Sequence, residues 1–349
     1  MGSEAPQKKR RERYKGKNPR RFNEKYKELD PEHYADDVQK IIQSGKTPAG
    51  SHRPILVQEI LKVLDPCPGQ TALDATLGYG GHAREILARI TPNGCLWGID
   101  VDPIEIKRTQ ARLRAQGYTE QSLILRRINF AGVQKILPEA GGGFDLILAD
   151  LGISSMQLDD PARGFTFKRE GPLDLRLNPE RGQPASTLLQ SLSEQGLEEM
   201  LQTNSDEPYA QQIAKIVFKS RMKISTTTEL AEAVRRALPR AFSDADKEER
   251  IRSIRRTFQA LRIAVNDEFF VLEQFLKNLP ACLKPNGKVA ILTFHSGEDD
   301  RVVHSFQEGL KSGVYADISR EPIRATSEER YDNPRSKSAT LRWARKKEL

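Results

Sequence analysis

The sequence has few cysteines and no long apolar run, and both absences narrow the class of protein. Its three cysteines, Cys67, Cys95 and Cys282, show neither paired spacing nor the spacing of a metal site. They are predicted to be small core residues in a reducing compartment. No apolar run reaches about 18 residues and no segment resembles the core of a signal peptide, which excludes a membrane-spanning or secreted protein. A cytoplasmic location is therefore expected.

Acidic residues are also fewer than basic ones. The chain holds 56 Lys and Arg against 48 Asp and Glu, which gives a net charge of +8. Such an excess favours an anionic partner, with nucleic acid as the first candidate and a generally basic protein as the alternative. The hydrophobic share of 37% over 349 residues is enough for one large domain or two modest ones.

The first fifty residues differ in composition from the rest of the chain. Between Lys8 and Lys27, eleven Lys or Arg stand against two Glu, with three aromatic residues among them. Such a segment cannot bury a core and is expected to be disordered when free. It is either a solvated tail or an arm that contacts RNA phosphates and stacks its rings on bases. The acids that soon follow, such as Glu28, disfavour an organelle-targeting peptide.

The segment Asp74–His82, Asp-Ala-Thr-Leu-Gly-Tyr-Gly-Gly-His, is the most informative of the chain. An apolar run ends in a carboxylate, a glycine loop follows, and a helical pattern begins at Ala83. This is the layout of the first strand, turn and helix of a nucleotide-type α/β fold, whose ligand lies beyond the carboxyl end of the strand. A carboxylate there would repel the pyrophosphate of a dinucleotide. It would attract the cationic sulfonium and ammonium groups of S-adenosylmethionine.

A second acid supports the same ligand. The pattern at Leu96–Asp100 predicts the next strand, and Asp100 lies about twenty residues past the glycines, where a ribose-binding acid belongs. A glycine loop alone is weak evidence for the identity of the ligand. Acids at both strand ends make a methyltransferase the leading hypothesis, and an NAD dehydrogenase falls well behind because of Asp74.

From His52 onward, strand and helix patterns alternate, which predicts an α/β fold. Strands are expected at 71–74, 95–100, 123–130, 144–150 and 288–294, and helices at 55–64 and from Pro103. Helices are also expected at 186–201, 209–221 and 229–238, the last behind a capping box formed by Thr226 and Glu229. A further helix carries an apolar stripe from Phe258 to Leu276.

The long helical interval between the last two strands predicts an inserted domain between two halves of one catalytic domain. The predicted parts are a basic arm (1–50), the first part of a methyltransferase domain (51–160), an inserted helical substrate-recognition domain (161–255) and the second part of the methyltransferase domain (256–349).

Seven motifs together resemble a known family. They are Asp74–His82, Asp150–Asp159 (Asp-Leu-Gly-Ile-Ser-Ser-Met-Gln-Leu-Asp), Arg163–Phe167, Gly171–Arg176, Arg256–Asn266, Phe294–Ser296 and Asn333–Ser336. In order and spacing, from His52 to Arg345, the chain is similar to the bacterial 16S rRNA cytosine-N4 methyltransferases, the RsmH or MraW family. The resemblance implies a Rossmann-like S-adenosylmethionine-dependent methyltransferase with an inserted helical domain. It also implies methyl transfer to the exocyclic amine of a cytidine in the decoding region of 16S rRNA, within the small ribosomal subunit.

The resemblance also implies the cofactor contacts. They fall on Gly80, Gly81, His82, Asp100, Phe130, Asp150 and Gln157. The two glycines would admit the methionine end of the cofactor, Asp100 would accept the ribose hydroxyls, and Phe130, at the end of the third strand, would lie against the adenine. Asp150 would lie beside the sulfonium. No metal is expected, because His82 has no partners at ligand spacing.

Cytosine N4 is a poor nucleophile, because its lone pair is delocalised into the ring, so a hydrogen-bond acceptor is needed in addition to exact positioning. Asp150, or the main-chain carbonyl beside it, is the candidate catalytic acceptor, and His295 is the other candidate base. Phe165 and Phe167 are the candidate stacking rings for the base.

Basic residues outside the arm are candidates for phosphate contacts. They are Arg163, Lys168, Arg169, Arg255, Arg256, Arg262, Arg335, Lys337, Arg342, Arg345, Lys346 and Lys347. Two alternatives stay open: an amino-methyltransferase that acts on DNA or another RNA, and a ribosome assembly factor that keeps the fold without catalysis.

Overall fold

The apolar segments form one mixed sheet in a computed structural model, which describes residues 54–240 and 243–348. Its strands are β1 (Thr71–Asp74), β2 (Cys95–Ile99), β3 (Leu123–Arg126), β4 (Phe144–Asp150), β5 (Leu283–Thr293), β6 (Tyr315–Ile318), β7 (Ile323–Arg324) and β8 (Thr340–Lys346). They lie in the order β3-β2-β1-β4-β5-β8-β6, with β7 paired to β8. The predicted basic arm, residues 1–50, lies outside the described residues.

The order of the strands reverses beside β1. The chain places β2 and β3 on one side of β1, and β4 and β5 on the other, all in parallel pairing. Asp74 at the end of β1 faces Leu148, two residues before Asp150 at the end of β4. Loops that leave adjacent strands in opposite directions open a crevice at this edge of the sheet. The register therefore brings both acids to one crevice.

Helices cover both faces of the sheet. The α-helices of the described residues are α1 (Val57–Leu64), α2 (Gly81–Ile90), α3 (Pro103–Ala115), α4 (Ser155–Asp159), α5 (Ala185–Ser191), α6 (Glu194–Ser205), α7 (Ala210–Ser220), α8 (Thr227–Ala237), α9 (Asp244–Asn266), α10 (Glu268–Cys282), α11 (Ser296–Lys311) and α12 (Ser327–Asp332). Leu73 and Ile147 pack with α10 on one face. Their neighbours Ala72 and Leu146 pack with α1, α2 and α3 on the other. Burial on both faces explains why β4 is almost continuously apolar.

The helices between β4 and β5 have a hydrophobic core of their own, to which Leu201, Ile213 and Leu261 belong. The predicted capping box is confirmed: Thr226 and Glu229 accept each other's backbone N–H at the start of α8. Residues 54–349 form one compact unit. The predicted division between residues 255 and 256 falls inside α9, and the division into separate domains stays a prediction.

Two helices predicted as continuous are broken. The pattern at 186–201 predicts one helix, but Ser193 caps a second one by accepting the N–H of Gly196 at 3.0 Å, so α5 and α6 are separate. The stripe from Phe258 to Leu276 is divided between α9 and α10 at Asp267, whose φ of 51° ends the first helix. In both cases the apolar spacing continues across the break, and the periodicity alone does not reveal it.

The prediction that all three cysteines are core residues is wrong for one of them. Cys282 is buried and Cys95 half-buried, but Cys67 is exposed in the turn before β1, and all three are free thiols. Among residues 54–240 and 243–348, no helix combines the length and apolar character that crossing a bilayer requires.

Candidate active site

The conformation of the glycine loop between β1 and α2 is constrained by side chains that pack against it. Gly80 has a φ of 73°, and a Cβ on it would lie 2.6 Å from Cγ2 of Thr109. A Cβ on Gly81 would overlap Pro54. Neither position can therefore carry a side chain, because other parts of the chain fill the space behind the loop. Gly80 is buried and Gly81 half-buried at this edge of the sheet.

Helix α3 holds the same loop in place. The hydroxyl of Thr109 donates to the carbonyl of Gly78 at 2.5 Å, and Arg112 donates to the carbonyl of Tyr79. The guanidinium carbon of Arg112 also lies 3.4 Å above the Tyr79 ring. Neither α3 residue could be predicted from the sequence, because their partners lie more than thirty positions earlier in the chain.

Asp100, the predicted ribose acid, follows β2 and closes the loop from the other side. One carboxylate oxygen accepts the N–H of Gly78 at 2.7 Å, and the other accepts the N–H of Asp102 at 2.8 Å. Burial raises the pKa of Asp100 to about 6, although these backbone hydrogen bonds oppose the rise. Each carboxylate oxygen can accept a further hydrogen bond, so a hydroxyl donor could still be bound.

Asp74 and Asp150 meet at the switch point with His82 between them. Asp74 is 2% exposed, and burial raises its pKa to about 7, with the charge of His82 opposing the rise. Nε2 of His82 lies 3.5 Å from a carboxylate oxygen of Asp150 and forms no hydrogen bond within the described residues. The Asp150 side chain keeps 31% of its surface exposed. Asp150 is therefore the carboxylate of this group that a ligand can reach.

Asp102 is the centre of a second group of polar side chains, next to that of Asp74 and Asp150. Its side chain is 0% exposed and caps α3, accepting the N–H groups of Ile104 and Glu105 on one oxygen. The other oxygen accepts Nε2 of Gln157 at 2.8 Å and Nη1 of Arg163 at 2.6 Å. Asp102 was not among the predicted site residues, although an Asp directly before a Pro at a helix start is a known capping signal.

Two predicted contact residues are thus engaged by the protein itself. The side-chain carbonyl of Gln157 accepts the N–H of Ser154 at 2.9 Å, while its NH₂ group binds Asp102. Arg163 is 8% exposed and also donates to the carbonyl of Leu177 at 2.9 Å. The expectation that Arg163 binds phosphate is wrong, because its guanidinium is buried in an ion pair. The cofactor contact of Gln157 stays a prediction.

Phe130 does not end the third strand, as the sequence predicts. β3 stops at Arg126, and Phe130 begins a 3₁₀ helix (Phe130–Ile136) that Asn129 caps. The half-buried Phe130 ring meets Phe275 of α10 edge-on, with 5.2 Å between centroids. The ring is held in one orientation at the edge of the sheet, and its contact with adenine stays a prediction.

The candidate stacking rings and the second candidate base lie elsewhere. Phe165 is 4% exposed in the core of the helical region, and Phe167 packs against Phe258 at 5.5 Å. Phe165 is not free to stack on a base, so that expectation is wrong for it. Phe167 is half-buried, and its stacking on a base stays a prediction. His295, just beyond β5, lies with Nε2 3.3 Å from a carboxylate oxygen of Glu298.

Most of the other candidate phosphate contacts are also engaged. The paired side chains are Arg256 with Glu249, Arg262 with Glu268, Arg335 with Asp159 and Arg342 with Asp299, while Arg345 binds Asn286 and Lys346 binds two carbonyl oxygens. Burial opposes the charge of Arg262, yet the ion pair with Glu268 holds the pKa of Arg262 above its usual value. Within the described residues, Lys168, Arg169, Arg255, Lys337 and Lys347 have no such partner.

Comparison with known proteins agrees with this geometry. The model of the MraW methylase family matches residues 49–347. The chain belongs to this family. "Ribosomal RNA small subunit methyltransferase H 1" of Lachnoclostridium phytofermentans is 50% identical over 98% of this chain and 94% of its own length. The proteins named "Ribosomal RNA small subunit methyltransferase H 2" of Alkaliphilus metalliredigens and "H 1" of Agathobacter rectalis are 50% and 48% identical, over 99% and 98% of this chain and 99% of their own lengths.

Members of the MraW methylase family are S-adenosylmethionine-dependent methyltransferases, and the site of this chain fits that cofactor. Asp74 and Asp150 provide the carboxylates that a sulfonium and an ammonium group require, while Nε2 of His82 is a buried polar atom without a hydrogen bond. The lack of a side chain at Gly80 and Gly81 lets the loop backbone pack closely against Thr109 and Pro54. The chain is therefore a methyltransferase enzyme with S-adenosylmethionine as its cofactor.

Proposed function

We propose that this enzyme methylates N4 of a cytidine in the decoding region of 16S rRNA, within the small ribosomal subunit. Three relatives that are 48–50% identical over almost the whole chain carry the name of a small-subunit rRNA methyltransferase. The accessibility of Asp150 is the observation that supports an amine as the target. Its side chain is 31% exposed, whereas Asp74 is 2% exposed and Asp102 is fully buried.

The cofactor would be held by residues of three strand ends. We propose that the backbone at Gly80 and Gly81 contacts the methionine end, that Asp100 accepts the ribose hydroxyls, and that Phe130 lies against the adenine. His82, Asp150 and Gln157 complete the proposed set. When bound, S-adenosylmethionine supplies an electrophilic methyl group on a cationic sulfur.

Asp150 would act on the amine. We propose that its carboxylate, or the main-chain carbonyl beside it, accepts a hydrogen from the N4 amine, which localises the lone pair on nitrogen as the bond to the methyl carbon forms. The electron pair of the broken carbon–sulfur bond would stay on the sulfur of S-adenosylmethionine. N4 would lose one proton, either to the Asp150 carboxylate or, where the carbonyl is the hydrogen-bond acceptor, to water. Nε2 of His82 lies 3.5 Å from Asp150 and would help to position the carboxylate.

The helical region would position the RNA. A cytidine in structured RNA must be unstacked before it reaches the methyl group. We propose that residues 161–255 form the recognition domain and that residues 51–160 and 256–349 form the two parts of the catalytic domain. The unpaired basic side chains and the arm from Lys8 to Lys27 would contact phosphates.

Mass mapping of small-subunit rRNA from cells with and without the gene tests this function. The expected result is one cytidine that loses a methyl group when the gene is absent, and purified enzyme should restore it on isolated small subunits. Methylation of DNA or another RNA in place of this cytidine would contradict the proposal. Failure to bind S-adenosylmethionine in calorimetry, even with small subunits present, would indicate an assembly factor.

A further inference from the structure

A second polar cavity lies beside the candidate active site. It encloses about 300 Å³ between the carboxyl end of α6, the middle of α9 and the start of α11. Its lining includes Thr203, Asp206, Arg256, Gln259 and His295. None of these residues belongs to the proposed cofactor set, so the cavity is a separate feature of the structure.

The cavity borders the same edge of the sheet as Asp150. In the parallel pairing of β4 and β5, Asp150 faces Leu292, and His295 follows three positions later. A Cβ on Gly152, just after β4, would lie 3.8 Å from the Phe294 ring. Adjacent strands lie about 4.8 Å apart, so a group in this cavity is a near neighbour of one that reacts at Asp150.

The cavity offers donors and acceptors without surplus positive charge. Arg256 is already paired with Glu249 at 2.8 Å, and Asp206 contributes a carboxylate. Gln259 carries an amide that can both donate and accept. A phosphate group would require unpaired cations, which this lining lacks, whereas a nucleobase presents both donors and acceptors on its edge. The chemistry therefore favours a neutral base.

The start of α11 adds unused donors. His295 precedes the helix, and no side chain caps it. The N–H groups of Ser296 and Gly297 lie in the first turn of this helix, where no earlier turn supplies an acceptor. Nε2 of His295 lies 3.3 Å from a carboxylate oxygen of Glu298. A ligand with an acceptor atom could therefore bind the N–H groups of the first turn.

We infer that this cavity takes the unstacked base of a nucleotide next to the methylated cytidine, and reads it through its edge. The inference rests on the proposed RNA substrate. Extrusion of one nucleotide separates its neighbours from their stack as well, and proteins commonly read such single-stranded bases by hydrogen bonds. A volume of about 300 Å³ is at the lower end of ligand cavities and suits one base.

Two nearly isosteric variants test the inference. Gln259→Leu removes the amide of α9, and Thr203→Val removes a hydroxyl at the end of α6. Gln307→Leu, exposed on α11 and outside the cavity lining, is the matched control. The substrates are small-subunit RNA fragments, each with one of the four bases placed on either side of the target cytidine. Calorimetry with S-adenosylmethionine confirms that each variant is folded.

Each cavity variant should raise KM for the RNA about fivefold to tenfold, which corresponds to the loss of one hydrogen bond, with kcat and cofactor affinity unchanged. Discrimination among the four bases should weaken at one neighbouring position and stay intact for the control. Unchanged KM and base preference in both variants, with an active wild type, would overturn this inference alone. No methyl transfer by the wild type would refute the proposed function, and the inference with it.

Discussion

Two groups of polar side chains, one around Asp102 after β2 and one around Asp74 and Asp150 after β1 and β4, lie at the carboxyl edge of the parallel sheet. Their carboxylates are paired within the protein to different degrees. Around Asp102, backbone N–H groups, the Gln157 amide and the Arg163 guanidinium occupy both oxygens at 0% exposure. Around Asp74 and Asp150, the neighbouring basic group is His82, whose Nε2 makes no hydrogen bond within the described residues.

This difference distinguishes the Asp102 group, which holds the site in shape, from the Asp74 and Asp150 group, which can bind the cofactor and react. A buried charge that is fully paired fixes the backbone around it but offers nothing to a ligand. A buried carboxylate whose pKa is raised to about 7, as burial does at Asp74, is stabilised when a cation arrives. Variants of the two groups should therefore fail in different ways: those of the first in stability, those of the second in activity.

The largest effect is expected from Arg163→Met. The change leaves Asp102 buried without its cation, which should lower the free energy of unfolding by about 3–5 kcal/mol. Arg127→Met is the control, because its ion pair with Glu180 has both side chains about half exposed and should contribute less than about 1 kcal/mol. Urea unfolding at fixed pH measures both.

The double variant Arg163→Met with Asp102→Asn sharpens this result. Because it removes the stranded charge, it should recover part of the lost stability. If Arg163→Met lowers the free energy of unfolding no more than Arg127→Met does, the buried pair of Arg163 and Asp102 is not what stabilises this part of the site.

Asp150→Asn should lower kcat by about a hundredfold, because the amide is a weaker hydrogen-bond acceptor than the carboxylate. Stability should change little, since the side chain is partly exposed. Cofactor affinity should fall by a smaller factor than kcat, because Asp74 still provides a carboxylate for the cationic groups of the cofactor. Single-turnover methyl transfer to isolated small subunits and calorimetry measure the two quantities, with Asp300→Asn on α11 as an exposed control. Full turnover with unchanged cofactor binding would assign the acceptor to another group.

Deletion of residues 2–45 should affect neither group of carboxylates. Loss of the arm's basic residues should weaken the hold on small subunits about tenfold or more at moderate salt, with a shallower dependence on salt. Turnover at saturating substrate and cofactor affinity should persist. The measurement is methyl transfer by full-length and truncated enzyme across a salt series. An unchanged salt slope would make the arm a solubilising tail, and lost turnover would place it in the active site.

The smallest effect is a pH dependence of cofactor affinity. Because burial raises the pKa of Asp74 to about 7, this carboxyl is charged at pH 8 and mostly neutral at pH 6. Affinity for S-adenosylmethionine should therefore fall about tenfold from pH 8 to pH 6, and less for S-adenosylhomocysteine, which lacks the sulfonium charge. Calorimetry with both ligands measures the ratio. In the Asp74→Asn variant, the ratio of the two affinities should no longer depend on pH. An equal fall in affinity for both ligands in the wild type would exclude a role of Asp74 toward the sulfonium.

Protonation of Asp74, which should weaken cofactor binding, stabilises the folded state of the ligand-free protein. The pKa of Asp74 is about 7 when folded, against an ordinary value of 3.8, so the folded state binds more protons between these values. The contribution of this group to stability is full below about pH 4 and is lost as the pH rises through 7.

The sequence predicts the acids at the strand ends well, because each one directly follows a short apolar run. Asp74, Asp100 and Asp150 could be located in this way without knowledge of the tertiary structure. Their convergence also follows, since parallel strands end at one edge of the sheet. The helical interval before β5 is predicted by its periodicity and by the capping box at Thr226.

The contacts that hold the site together could not be predicted in the same way. Gln157 and Arg163 bind Asp102 across 55 and 61 positions of sequence, and no local pattern encodes such a distance. Phe165 and Phe167 were predicted to stack on the base because they lie shortly after β4 in the chain. The helical region buries Phe165, however, and packs Phe167 against Phe258. Charge alone likewise did not show that Arg163 is a core residue.

The position of β5 has a consequence for synthesis of the chain on the ribosome. β4 pairs with β1 on one side and with β5 on the other. β5 begins at Leu283, so it is synthesised well over a hundred residues after β4. At the usual rate of translation, that interval lasts roughly ten seconds. During it, the apolar edge Phe144–Ala149 is open to pairing with another nascent chain. The helices that emerge in the meantime have a core of their own and can fold before the strand that completes the sheet arrives.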